Sequence, residues 1–238
     1  MSKNKPDNTH HGRFQDLEWY TGKFEDIIVG GAGGIGSWLI FFLSRIGHRL
    51  YIFDFDSVDR TNMAGQLYPT SCINMKKTQA MSELAKDFSN HKDILQYDKY
   101  EEDSLSGPIM MTCFDNMAGR KAMFDNWKIQ DDKEVFLDGR MRAEYFEIYC
   151  VTPDKIKDYE ATLFDDSEVP DLPCSAKATS HCGAMVGAMM VSMFNNWITN
   201  RDTPDTRIVP FKISMDLVLF MNEVVEEPEY SNPIIVDN

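Results

Sequence analysis

Residues 27–54 read IIVGGAGGIGSWLIFFLSRIGHRLYIFD, and few folds accommodate such a run. An apolar strand (27–29) breaks into Gly30, Gly31, Gly33, Gly34 and Gly36. A long apolar helix follows, then a second strand (50–53) that ends on Asp54. Strand, glycine-rich turn, helix and strand with a terminal acid form the nucleotide-binding βαβ unit. Glycine at these places permits a tight turn, close approach of backbone N–H groups to phosphate oxygens, and close packing of helix on strand. Asp54 stands roughly 20 residues beyond the glycines, where a carboxylate can accept from both ribose hydroxyls. The alternative for the glycines alone is a packing turn that binds nothing.

The remaining pattern extends this unit into one large α/β domain. Helices are expected over 75–88, 118–128 and 183–198, and strands over 94–97, 108–113, 135–138 and 142–151. Residues 154–173 are acidic and proline-containing and read as a loop or crossover, and 208–225 read as a strand pair. Strands alternating with helices predict a Rossmann-like, doubly wound, mainly parallel sheet with an antiparallel C-terminal extension. Residues 1–12 read as a disordered tail, leaving 13–238 as a single domain.

Composition narrows the partners. With 24 basic and 38 acidic residues the net charge is −14, which gives no case for nucleic acid or an acidic membrane surface. The longest apolar runs, 38–43 and 184–194, are too short to span a bilayer, and no signal-peptide pattern opens the sequence. The five cysteines (72, 113, 150, 174, 182) include no CxxC pair, so no zinc site and no disulfide framework are expected. A cytoplasmic setting follows as the expectation.

Three further features point away from a plain dehydrogenase. Asp54-Phe55-Asp56 runs on into Thr61-Asn62-Met63-Ala64-Gly65-Gln66; Lys76 and Lys77 open the next helix; and Cys113-Phe114-Asp115-Asn116 is followed by Arg120. In this order and spacing, with Gly31 to Ser37, they resemble the ThiF/MoeB family of adenylate-forming activating enzymes, which includes the ubiquitin-activating enzymes. The resemblance covers residues 24–200.

The resemblance implies ATP and Mg²⁺ as cofactors. It places the backbone of Gly31, Gly33, Gly34, Ile35 and Gly36 against phosphates, Asp54 and Asp56 at the ribose end, and Asn62 and Gln66 around sugar and phosphate. Lys77 would neutralise the triphosphate, Asn116 is a further nucleotide-binding position, and Asp115 would hold Mg²⁺. It also implies a homodimer and, as acceptor, the C-terminal carboxylate of a ubiquitin-like or sulfur-carrier protein or a peptide. The residues themselves leave alternatives open. Asp115-Asn116 can simply cap the following helix, Lys76 rather than Lys77 can face the phosphate, and Arg120 can serve as a helix-to-sheet anchor.

The sequence departs from the family pattern at Gly65, where relatives carry a triphosphate-binding arginine; Arg60 and Arg13 are the candidates to replace it. Cys174 falls where some members carry out sulfur or thioester chemistry, with Lys177 and His181 as candidate sources of positive charge; Cys182 reads as packing. The leading expectation is an adenylyltransferase. A catalytically degenerate nucleotide-binding partner and an NAD-dependent oxidoreductase are the alternatives.

Overall fold

A computed structural model describes residues 11–168, 179–204 and 206–225. Its centre is one eight-stranded sheet of order β3-β2-β1-β4-β5-β6-β7-β8. β1 (Asp26–Gly30), β2 (Arg49–Phe53), β3 (Ile94–Tyr97), β4 (Ile109–Thr112) and β5 (Val135–Arg142) are parallel. β6 (Tyr145–Val151), β7 (Lys212–Asp216) and β8 (Met221–Val225) continue the sheet antiparallel. This is the α/β class with an antiparallel extension that the sequence pattern predicts.

Strand composition explains the double winding. Ile27, Val29, Ile109, Met111, Val135 and Leu137 point into one apolar core, and Ile28, Met110 and Phe136 point into a second on the opposite face. Alternate residues of a strand face opposite sides, so a continuous apolar run requires cover on both. The first face is covered by α1 (Gly36–Ile46), α2 (Lys77–Ser89) and α5 (Ser180–Asp202). The second is covered by α3 (Met117–Lys128) and the short α4 (Ile156–Glu160), which bury Phe124, Trp127 and Tyr159.

α5 begins three residues before the expected Gly183. Gly183 and Gly187 lie against α1 instead: a Cβ on Gly187 would come 2.9 Å from the Leu39 nitrogen, and one on Gly183 would collide with the Gly34 carbonyl. The acidic stretch read as a loop contains α4, whose Tyr159 is fully buried. β5 also runs further than expected, through Arg142, and turns at Ala143 with φ 57°.

From β1 the chain adds β2 and β3 on one side and β4 and β5 on the other. The carboxyl ends of β1 and β4 therefore flank a topological switch point, the crevice where open α/β sheets bind ligands.

Candidate functional site

The glycine turn ties three strand ends together. The Gly31 N–H donates to the Phe53 carbonyl at 2.8 Å, and the Cys113 N–H donates to the Gly30 carbonyl at 2.7 Å. Gly31 has φ +89°, and a Cβ there would lie 2.9 Å from the Cys113 carbonyl oxygen, so this position requires glycine. Gly33, Gly34 and Ile35 lead into α1, which has no side-chain cap and no acid in its first turn. Ser37 and Trp38 already donate to the Gly33 and Ile35 carbonyls at 3.1 Å, so the N–H groups left to suit an anion are those of the turn up to Gly36.

Asp54 is 8% exposed. Its Oδ2 accepts from the Ala32 N–H at 2.7 Å and its Oδ1 from the Asp56 N–H at 2.9 Å. Burial raises the Asp54 carboxyl above its ordinary value, against the opposing pull of Lys77 and these two N–H groups. Lys77 is 6% exposed, with Nζ 2.7 Å from Asp56 Oδ2 and 4.0 Å from Asp54 Oδ1. The antiparallel bridge between Ser57 and Lys76 and the bond from Lys77 N–H to the Asp56 carbonyl (3.0 Å) start α2 at this point. Lys76 turns away, donating to the Phe55 carbonyl and pairing with Asp98. Of the two lysines, Lys77 is the one brought to the acids.

The 59–68 loop is clasped onto the glycine turn. Tyr68 OH donates to the Ala32 carbonyl at 2.6 Å, and Ser37 Oγ accepts from the Leu67 N–H at 3.0 Å. Asn62 is half-buried, and its Oδ1 accepts from the Asp59 N–H at 3.0 Å. Gln66 Oε1 is buried without a hydrogen-bond partner among the described residues, a group left short by the protein itself. Arg60 is exposed on a 3₁₀ turn in the same loop, Gly65 is buried, and Arg13 is exposed. The motif pattern does not indicate the Tyr68 clasp.

Across the crevice, β4 ends in the Asp115-Asn116 turn. Asn116 caps α3, its Oδ1 accepting from the Gly119 N–H at 2.7 Å, while its Nδ2 donates to Asp115 Oδ1 at 3.2 Å. Asp115 is exposed. Its other carboxylate oxygen makes no bond within the described chain, which leaves it able to accept a donor or a cation. Asp166, which the sequence pattern does not single out, accepts from the Met117 N–H at 2.7 Å and the Ala118 N–H at 3.2 Å.

Arg120 is an anchor: it is buried and bonds to Asp138 and to the Phe114 and Gly139 carbonyls. Asp138 also receives Arg140 at 2.6 Å and the Tyr159 hydroxyl at 2.9 Å. A signal for this acid was present, since the expected strand 135–138 ends on it as 50–53 ends on Asp54.

Cys174 and Lys177 lie outside the described residues, as do residues 1–10 of the expected tail. The four described thiols are buried; burial pushes Cys182 up to about 11 and Cys150 to about 12, away from thiolate chemistry. His181 pairs with Glu144 at 3.3 Å.

Solved structures share this architecture. PaaA superposes with a TM-score of 0.66 at 15% identity, over 88% of this chain and 66% of its own. E. coli MccB in a structure with ATP gives 0.64 at 11% identity, over 93% and 72%. E. coli tRNA N6-threonylcarbamoyladenosine dehydratase, TcdA, gives 0.64 at 15%, over 82% and 96%. At such identities the likeness establishes the fold, and the chain spans about two thirds of the length of PaaA. No curated protein matches by sequence. The sequence profile of the ThiF family, in contrast, matches residues 22–230, from before β1 to beyond β8, and with the motifs gathered at one crevice it assigns this chain to the ThiF family.

Proposed function

We propose that the protein is an ATP-dependent adenylyltransferase that converts a carboxylate into an acyl-adenylate with release of pyrophosphate. The observation that carries this reading is Lys77, a buried ammonium held 2.7 Å from Asp56 beside the glycine turn. An ammonium there offsets the negative charge that a triphosphate brings, and the family match favours adenylation over hydride transfer. The glycine turn and the uncapped start of α1 take the phosphates, Asp54 takes the ribose hydroxyls, and Gln66 Oε1 finds a donor on the ligand. Asn62 and Asn116 border the same crevice.

In the reaction, a carboxylate oxygen of the acceptor attacks the α-phosphorus. A new O–P bond forms as the bond to the pyrophosphate oxygen breaks, and the electron pair leaves with pyrophosphate. Lys77 compensates charge on the equatorial and leaving oxygens, and the glycine-turn N–H groups hold the phosphates in line, so positioning and electrostatics suffice. Asp115 would hold Mg²⁺, which supplies further charge neutralisation on the leaving pyrophosphate.

The acceptor is the C-terminus of a peptide, or of a ubiquitin-like or sulfur-carrier protein; the MccB structure with N-formylated MccA supports a peptide among these. The working unit is a cytoplasmic homodimer in which Arg13 of one copy completes the other copy's triphosphate site. Cys174 is the candidate for any later thioester or persulfide step. Gly65 favours a second reading, a nucleotide-binding relative that no longer adenylates, unless Arg60 takes over the missing charge.

ATP–pyrophosphate exchange on the purified protein, against carrier proteins and peptides ending in Gly-Gly, tests the proposal. Acceptor-dependent exchange that disappears in Asp115→Ala is expected. Tight Mg-ATP binding with no exchange over a broad acceptor set would select the non-catalytic reading.

A further inference from the structure

We propose that Asp166 is a positioning residue that occupies the N-terminus of α3 and thereby leaves the Asp115 carboxylate open for a cation; the consequence for the cation rests on the function proposed above. The first three N–H groups of α3 belong to Met117, Ala118 and Gly119, and such groups need acceptors from outside the helix. Asn116 Oδ1 takes Gly119, and Asp166, 49 residues from Met117 along the chain, takes Met117 at 2.7 Å and Ala118 at 3.2 Å. All three donors are then used.

Asp115 stands immediately before the cap, two residues from Met117. An aspartate in that place readily folds its carboxylate back onto the N–H two residues on, in an Asx turn. Here it does not: among the described residues its only side-chain bond is the 3.2 Å contact from Asn116 Nδ2, and the side chain is exposed. Asp166 removes the competing donors. It also places a negative charge on a helix end that carries roughly half a positive charge and would otherwise repel a cation nearby.

With Asp166 truncated, Asp115 becomes the natural cap for Met117. A thermal-unfolding cycle of wild type, Asp115→Ala, Asp166→Ala and the double variant reads this without nucleotide. Asp115→Ala is expected to shift Tm little in the wild-type background. Asp166→Ala, which loses a helix cap, should lower Tm by roughly 2–4 °C. Asp115→Ala on top of Asp166→Ala should then lower it again, because Asp115 now carries the cap. Strict additivity overturns the proposal. Asp166→Asn, which retains one acceptor, gives the same reading with a milder fold perturbation.

A second measurement follows the Mg²⁺ dependence of ATP binding by calorimetry. Asp166→Ala should weaken it about 10- to 100-fold, as loss of a residue supporting a metal ligand commonly does, although Asp115 itself is intact. An unchanged Mg²⁺ dependence alongside a lower Tm makes Asp166 purely structural and overturns the proposal. ATP binding by wild type that ignores Mg²⁺ counts against the cation assignment of Asp115, and the unfolding cycle still decides whether Asp166 keeps Asp115 off the helix.

Discussion

Two ionic clusters sit at the carboxyl edge of the sheet, built from similar parts and finished differently. At the end of β2, two carboxylates (Asp54, Asp56) share one ammonium, Lys77. On β5, one carboxylate, Asp138, is shared by two guanidiniums, Arg120 and Arg140. The Asp138 cluster is closed: its acid is fully buried, Arg140 goes on to Thr162 and stacks on Tyr149 at 4.4 Å, and Arg120 reaches two carbonyls. The Asp54 cluster is open on one side, with Asp56 half exposed and Gln66 Oε1, beside the glycine turn, without a partner among the described residues. Buried charges that satisfy each other completely serve architecture, whereas charges left with spare capacity at a crevice wait for a ligand.

The largest effect that separates the clusters is expected at Asp138. Asp138→Ala leaves a buried guanidinium, Arg120, and a largely buried one, Arg140, without their counterion, which costs about 3–5 kcal/mol. Thermal unfolding should shift down by roughly 10 °C or more, while the surviving folded protein still binds ATP. A shift of a degree or two would mean that the cluster is not the structural one.

Lys77→Met addresses the other cluster with the opposite signature. Removing the charge that faces the triphosphate should lower ATP–pyrophosphate exchange about 10²- to 10³-fold. Stability should fall less than in Asp138→Ala, because the side chain keeps its bulk, Asp56 remains in contact with water and the buried Asp54 can take up a proton. Exchange at the wild-type rate with a large loss of Tm would exchange the two roles.

The two clusters also differ in how far the sequence discloses them. The glycine turn and Asp54 are legible because the backbone chemistry that needs them is local, a left-handed Gly31 and an acid ending a strand. Lys77 and Asp115 stand out only through the family resemblance, since the residues alone leave Lys76 and a plain helix cap equally open. Asp138 is visible as a strand-end acid, but its partners are not. Tyr159 comes from a stretch whose acids and prolines read as loop, and Arg140 lies on a part of β5 that the pattern does not predict. Arg142-Ala143-Glu144 contains no glycine, asparagine or proline to announce the turn at Ala143. Asp166 is hidden in the same way, one acid among several whose role depends on a helix end 49 residues earlier. The helix over 183–198 is legible, yet the purpose of its Gly183 and Gly187, close contact with the start of α1, appears only once both helices share a face of the sheet.

The smallest effect concerns the stability cost of keeping a site open. The Asp54 carboxyl is raised, by burial first, with Lys77 and the Ala32 and Asp56 N–H groups pulling against it. In the folded state it therefore holds its proton to higher pH than in the unfolded chain, whose ordinary value is about 3.9. Between those two values the folded state binds more protons, so stability from this group is present in acid and is lost as pH rises through the raised value. Other carboxylates, such as Glu147, are lowered and move total stability the other way, so the comparison must be with Asp54→Asn. Urea unfolding at a series of pH values from about 4 to 8 should show wild type losing ground to Asp54→Asn as pH rises. Parallel curves would show that Asp54 ionises at no cost to the fold. With saturating ATP the trend should reverse for wild type alone, because ribose hydroxyls donate to the charged carboxylate and favour it. The cost of ionising the buried acid would then be offset by the ligand proposed for it.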